Sequence, residues 1–476
     1  MLALRRSSFF LPAMHEPESR PVRSISTPDG ITLIVGLIIG AGIFRTPSLV
    51  ASHVTEGWQF LLLWLVGGVV ALIGAFCYAE LASSYPHAGG EYHVLRRAFG
   101  PFIAFLLAWA RLTVLQTGSI ALLAFVFADY AAPVFGAAAG SIPVFAVASV
   151  VLITLINAIG LREGQVTQRT LTGAVVAGLA AVIGIGLFLS PAPVDAAQAL
   201  VESQVELSAT PRESNIALAL VFVLLTYGGW SEAAYMSAEL RDERRGVTRM
   251  LVWGVAAVTA VYLLTNAAYL AVLGVDGVSN SPAVAVDVLQ PRAGQWGATI
   301  VALIVMAAAL SSANGTMITS GRGGFAVGHD ITPLGALGIW STRDGNDGTP
   351  RRAVLAIGTV SLLLVLVGTA TRAGFETMVA FTAPIFWLTL LLMGIALFVL
   401  RFREPQRVRP FRVPMYPVVP ILFCATSAWM LWSSIAYAGR GALLGIAVML
   451  AGVPLYLLGR DRSRRNILVT SEQTGN

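Results

Sequence analysis

Two short stretches of this 476-residue chain can present charge-bearing backbone to a solute. Gly40-Ala41-Gly42 lies inside the apolar run GLIIGAGIF, and Tyr227-Gly228-Gly229-Trp230-Ser231 lies inside LLTYGGWSEAA. A helix interrupted in apolar surroundings leaves unpaired N–H groups at the start of one half and unpaired C=O groups at the end of the other. The half beginning near Gly42 presents N–H groups and a positive dipole end, suited to a carboxylate. The carbonyls of Ile38 and Ile39, with those of Thr226, Tyr227 and Gly228, are suited to accept from an ammonium. A zwitterionic α-amino acid carries both charges within a few ångströms, so it fits such ends better than a neutral sugar does. Glycine lets the solute approach the backbone because no Cβ stands in the way.

The elements that must position these stretches follow from composition. Apolar residues make up 56% of the chain and charged ones only 12%, too few to coat a soluble fold. Apolar stretches of about 20 residues recur, each enough to cross a bilayer as a helix. Alternating barrel-type segments are absent, so the fold class read here is an all-α membrane protein. Gly/Pro and charge breaks divide it into twelve spans, at about 31–54, 58–83, 101–133, 142–160, 168–190, 214–240, 249–275, 297–325, 352–371, 374–400, 417–438 and 441–459. Domain organisation follows: a tail over 1–30, a core over 31–400 with halves 31–190 and 214–400, a last pair with its preceding loop over 401–459, and a tail over 460–476.

Charge placement orients the spans. The formal charge is +6 and no lysine occurs. Arginines such as Arg96, Arg97, Arg162, Arg169, Arg241, Arg244, Arg245, Arg401 and Arg460 fall on one side. The opposite side has Arg212, Arg292, Arg372 and Arg440, with an acidic loop carrying Asp195, Glu202, Glu206 and Glu213. By the positive-inside rule both termini are cytoplasmic. This placement in short loops marks topology and argues against a nucleic-acid surface. The breaks fall in the first and sixth spans, so two five-span halves insert with opposite topology. That is a five-plus-five inverted repeat with broken first and sixth helices and a site at their interface. Gly36 and Gly40, spaced by four, also satisfy a helix-packing motif taken alone.

At this level the residues resemble a known family. GLIIGAGIFRTP, YAELASSYPHAGGEYHVLRRAFGP, LQTGSIALLAFVFADY, TYGGWSEAAYMSAELRDERR, SSANGTMITSGR and RPFRVPMYPVVPILF resemble bacterial amino-acid permeases of the amino acid–polyamine–organocation superfamily. The nearest likeness is to the branch holding the L-type amino-acid transporters. The resemblance covers nearly the whole chain. It implies secondary transport of amino acids or related amines by alternating access, as exchanger or symporter, in a bacterial inner membrane. It also implies that backbone groups of Ile38, Ala41 and Gly42 hold the substrate head group, with Leu225 and Gly228 as sixth-helix counterparts. Ile39, Gly40, Thr226 and Ser231 complete the substrate-binding candidates. Two positions depart from the pattern. Leu225 stands where many relatives place an aromatic gate, and Val175 stands where a fifth-helix lysine is common.

Ionisable groups within spans are functional candidates by default. Glu232 has three readings: balancing a cationic substrate, carrying a coupled proton, or capping the second half-helix. Ser311 and Ser312 either help bind a cation beside the first helix or bond a helix turn. With Val175 they form the coupling and gating set. Arg111 reads as an ion-paired residue snorkelling to the cytoplasmic end. Glu80 and Glu239 read as partners of Arg96, Arg97 or Arg241, Asn157 and Asn314 as helix-to-helix bonds, and Trp387 either as cavity lining or as packing. Cys77 and Cys424 sit inside apolar spans, and the loop 132–141 holds no cysteine, so no disulfide-linked subunit is expected. The expected partners are a small-molecule substrate and lipid, with the chain a monomer or weak homo-oligomer. No GxxxxGK[ST], metal-ligand spacing or nucleophile–base pair points to ATP, a metal, a cofactor or an enzyme. A solute sensor that kept the transporter fold, or a carrier of another organic cation, is the alternative.

Overall fold

The computed structural model describes residues 26–189, 215–330 and 351–458, apart from 88, 243, 244, 282, 371–373 and 439. The readings of residues 1–25, of the C-terminal tail and of the acidic loop lie outside these residues. Among the described residues every regular element is helical. Ten helices among the described residues are long and apolar enough to cross a membrane. A bent pair makes an eleventh, and a shorter apolar helix, Leu443–Leu458, follows.

The bent pair is α1 (Thr27–Ile38) and α2 (Gly42–Ala51), at 49° to one another. Ser26 caps α1 by accepting from the Asp29 N–H, so helix begins a few residues before the apolar run. Then come α3 (Gly57–Ser84), the short α4 (Gly90–Phe99) and α5 (Pro101–Val134). Gly100 at φ +90° turns the chain between α4 and α5, and Pro101 starts the new helix. α6 (Ile142–Ile159) and α7 (Leu161–Gly184) follow. The sixth span is α8 (Ile216–Thr226), a turn at 227–229, and a 3₁₀ helix (Trp230–Glu239). α9 (Gly246–Asn280) and α10 (Val284–Asp330) are each kinked, at Gly274 and Gly294. The chain closes with α11 (Arg351–Ala370), α12 (Gly374–Arg403), α13 (Val418–Ala438) and α14 (Arg440–Leu450).

Packing places the two interrupted spans at the centre. α1 lies against α9, α10 and α7, while α2 lies against α8 and α9. Gly36 has no room for a Cβ, which would fall 2.2 Å from the Thr172 hydroxyl of α7. Gly36 is therefore a packing glycine, as the spacing motif allows. Gly40 belongs to the break. Asn157 donates to Asn314 at 2.7 Å, and Asn314 donates to the Gly164 carbonyl and to Gln168, so the asparagines do join α6, α7 and α10.

Candidate functional site

The breaks differ locally because their residues differ. α1 ends when the Ile39 and Gly40 N–H groups bond back to Val35 and Ile38, after which Ala41 starts α2. In the sixth span Gly229 adopts φ +104°, a left-handed conformation that a side chain would strain. A Cβ on Gly229 would also stand 2.7 Å from the Leu37 carbonyl oxygen, so the second break is seated against the end of α1. Gly42 faces Thr226 a little less closely, with a Cβ position 3.0 Å from its methyl group. The two breaks thus touch each other.

An aromatic cluster braces them. Trp64, Tyr227 and Tyr262 are all buried, with ring centroids 5.1–6.4 Å apart including Phe60. The Tyr262 hydroxyl reaches the Ile38 carbonyl at 2.9 Å and the Thr226 carbonyl at 3.3 Å. Sequence reasoning offered both carbonyls to an ammonium. Ile38 instead accepts from Tyr262 and from the Gly40 N–H, which uses its two lone pairs. Among the described residues, by contrast, the N–H groups of Ala41, Gly42, Ile43, Trp230 and Ser231 show no acceptor outside their own helices. Two helix N-termini therefore end at the same place with donors to spare.

Both face a cavity of about 460 Å³. Its lining includes Ile38, Gly40, Ala41, Gly42, Leu225, Thr226, Gly228, Ser231, Glu232 and Ser312. Ile39 is buried at 1% exposure and does not line it, and neither do Ser311 or Val175. Ser311 bonds Gln168 and Thr172 of α7, so it joins two helices and does not bond a turn of its own. The Ser312 hydroxyl has no partner, is buried, and stands beside Gly40, where a Cβ would come within 2.8 Å of it. Val175, on α7, is 1% exposed and belongs to the core.

Sequence reasoning missed several lining residues: Phe222, Gln116, Ser119, Phe386 and Arg45. Phe222 and Phe386 supply apolar walls near Leu225, where no aromatic side chain stands at the expected gate position. Trp387, for which lining and packing stood as equal readings, lines the cavity, and its Nε1–H has no partner. A helical period of 3.6 through the first, third, sixth and tenth spans is the only signal that could have placed these, and it does not say which stripe faces a solute.

Charge closes one end of the cavity. A π turn over Arg111–Gln116 interrupts α5, and such turns bring positions five apart onto one face. Arg111 and Gln116 both donate to the Glu232 carboxylate. Arg111 also donates to Glu91 of α4 at 2.6 Å, and Glu91 accepts from Tyr78 at 2.7 Å and Tyr235 at 3.3 Å. The guanidinium stacks over the Tyr235 ring, 4.6 Å from its centre. Arg111 is thus ion-paired, as expected, but at 6% exposure it does not snorkel. Glu232 does not cap the 3₁₀ helix, because its carboxylate is turned to Arg111 and Gln116.

Glu80 also has different partners from those expected. It accepts from Arg401 at 2.7 Å and from the Val413 N–H at 2.6 Å, with Arg409 at 3.5 Å. Arg97 pairs with Glu404 instead, at 2.5 Å. That hydrogen bond holds the Glu404 carboxyl below its ordinary value. The side chain of Glu239 lies outside what is described. At the opposite end of the cavity Arg45 faces Asp129 at 3.5 Å, and both are partly exposed.

Comparison with known proteins agrees with this architecture. A family model described as amino acid permease matches residues 25–452. The chain is 30% identical to b(0,+)-type amino acid transporter 1 of Mus musculus over 447 residues, covering 92% of this chain and 88% of that protein. It is 28% identical to Asc-type amino acid transporter 1 of Mus musculus, covering 92% and 81%. It is 26% identical to the serine/threonine exchanger SteT of Bacillus subtilis (strain 168), covering 93% and 98%.

Proposed function

The chain belongs to the amino acid permease family, a transporter and not an enzyme, and from that premise we propose that it exchanges α-amino acids across a membrane by alternating access. One observation carries the reading. Two helix N-termini with unused N–H groups meet, through Gly229 and Gly42, on a single cavity. The substrate carboxylate sits at these N–H groups, supplemented by the unpartnered Ser312 hydroxyl. The ammonium group sits at the carbonyl end of α8, on Thr226 and Gly228. Backbone recognition of the head group leaves the side chain in the wider part of the cavity, among Phe222, Leu225 and Phe386.

The shorter helix Leu443–Leu458 brings the spans to twelve, and the matched breaks fit a five-plus-five inverted repeat. The arginine-rich end then lies in the cytoplasm. In this conformation the ion pairs of Arg97, Arg111 and Arg401 close the cytoplasmic end. The cavity runs toward exposed Arg45 and Leu49, so the protein is open to the outside. The name of one relative, a serine/threonine exchanger, supports exchange over symport. Cys77 is buried in α3 and Cys424 lies in α13, which supports action without a disulfide-linked subunit. The buried hydroxyl of Ser312 beside Gly40 favours one second reading, a cation bound there and coupled to uptake.

Uptake of labelled amino acids into proteoliposomes tests both. Exchange predicts uptake only when amino acid is present inside. Equal uptake into empty vesicles driven by a sodium or proton gradient would replace exchange with symport, and no uptake of any amino acid or amine would end the proposal. Gly229→Ala, whose Cβ would strike the Leu37 carbonyl oxygen, is expected to abolish uptake.

A further inference from the structure

The stretch 401–417, from the last turn of α12 to the start of α13, is fastened to the protein yet turns apolar side chains away from it. The Val413 N–H donates to Glu80 at 2.6 Å, the Phe411 ring stacks on Phe76 of α3, and the Arg401 guanidinium lies 3.8 Å from the centre of the Tyr416 ring. Phe402, Val408 and Met415 nevertheless stand 88%, 74% and 73% exposed. Met415 is also held at φ +49°, a left-handed conformation that costs a residue with a side chain. A well-anchored segment that presents apolar groups outward marks a surface that something else covers.

Depth and charge say what covers it. The span Thr377–Arg403 has 27 residues, about 40 Å of helix against a hydrocarbon core of about 30 Å. Its last turn, with Phe402 and Arg403, therefore reaches the headgroup layer, and α13 re-enters the bilayer at Val418. The stretch carries five arginines and one glutamate. That glutamate, Glu404, is engaged by Arg97, while Arg401 and Arg409 share Glu80. Arg403 and Arg407 hydrogen-bond only the carbonyls of Ala98 and Ser84. Arg412 is exposed and has no partner among the described residues. Three guanidiniums at headgroup depth thus lack a bonded carboxylate.

We propose that this stretch is a binding surface for anionic phospholipid. The headgroup phosphodiester sits on Arg403, Arg407 and Arg412, whose planar forks match phosphate oxygens, while Phe402, Val408 and Met415 enter the acyl boundary beside it. Arg401 and Glu404, in the same stretch, fasten the closed end of the molecule, so bound lipid steadies that end. The proposal needs only a chain that spans a bilayer and is independent of the solute carried.

Native mass spectrometry of the full chain, given equal amounts of phosphatidylglycerol and phosphatidylcholine, tests it. Phosphatidylglycerol is expected to be retained preferentially, and Arg412→Gln should weaken its binding by about fivefold. Because Arg412 bonds nothing in the protein, that variant should melt like the native chain in lipid-free detergent. Arg403→Gln combined with Arg412→Gln should weaken binding further; if the pair fails to fold, the single variant still decides. In detergent, phosphatidylglycerol should raise the melting temperature more than phosphatidylcholine or chain-free glycerol phosphate does. Equal retention of the two lipids, or undiminished retention by Arg412→Gln, would overturn the proposal. So would glycerol phosphate raising the melt as much as the lipid, since the surface would then bind any anion.

Discussion

Two sets of ion pairs hold the same end of this molecule, and burial makes them different interactions. The Glu91–Arg111–Glu232 cluster ties α4, α5 and the 3₁₀ helix together, with side-chain exposures of 2%, 7% and 12%. The Arg97–Glu404 pair joins α4 to the end of α12, with exposures of 42% and 24%. Glu80 stands between them: its own side chain is buried at 3% exposure, while Arg401 is 19% exposed. A desolvated charge depends on its partners, whereas an exposed one is served nearly as well by water. The cluster also reaches the cavity floor through Glu232, so it alone connects the solute to the closed end. The outer pairs fasten that end without touching the solute.

Arg111→Met should break the comparison most severely. It leaves two buried carboxylates with no counter-ion, and melting in detergent is expected to fall by about 3–5 kcal/mol of stability. Removing all three charges together, with Glu91→Gln, Arg111→Met and Glu232→Gln, should recover much of that loss, since no uncompensated charge remains. Equal destabilisation of the single and triple variants would mean that packing, and not charge, holds the cluster. Glu80→Gln should lose less, about 1–3 kcal/mol, because Arg401 can turn to water and the amide oxygen can still accept one bond. Thermal melts at matched detergent and salt would rank it between the extremes.

Glu404→Gln should change stability least, by about 1 kcal/mol or under, and added salt should shrink the difference. Its pH dependence has a definite sign. Arg97 holds the Glu404 carboxyl below the ordinary value of 4.5, so the pair's contribution is complete above that pH. It fades as pH falls through the lowered folded-state value, where the carboxylate takes up a proton. Melts of the native chain and Glu404→Gln should therefore differ at neutral pH and converge in strong acid. A gap that persisted there would remove the charge from the explanation.

The interrupted spans were legible from residues alone. Gly40-Ala41-Gly42 and Gly228-Gly229 sit in apolar runs where regular helix is otherwise expected, and both positions break. Most span limits come through to within a few residues for the same reason, since hydropathy acts along the chain, although the fifth-span helix starts at Leu161, seven residues before the expected 168. Legibility stopped where a side chain had to choose among distant partners. Glu80 precedes the Arg96–Arg97 pair closely in sequence, yet it bonds Arg401, 321 positions away. Arg111 read as a residue near a membrane face, because nothing local announces a π turn that aims it inward. Tyr262 gave no signal at all, although its hydroxyl closes carbonyls of both breaks.

The sequence by itself determined that this chain is helical, suited to a membrane, and interrupted at two glycine-containing points. Those properties depend on hydrophobicity and backbone freedom, which each segment carries alone. Only the tertiary structure decided that the two interruptions touch, that Tyr262 fills the Ile38 carbonyl, and that Glu232 meets Arg111 from 121 positions away. Hydrogen bonds and charge pairs act over a few ångströms, so they are settled only when packing brings distant helices within that range.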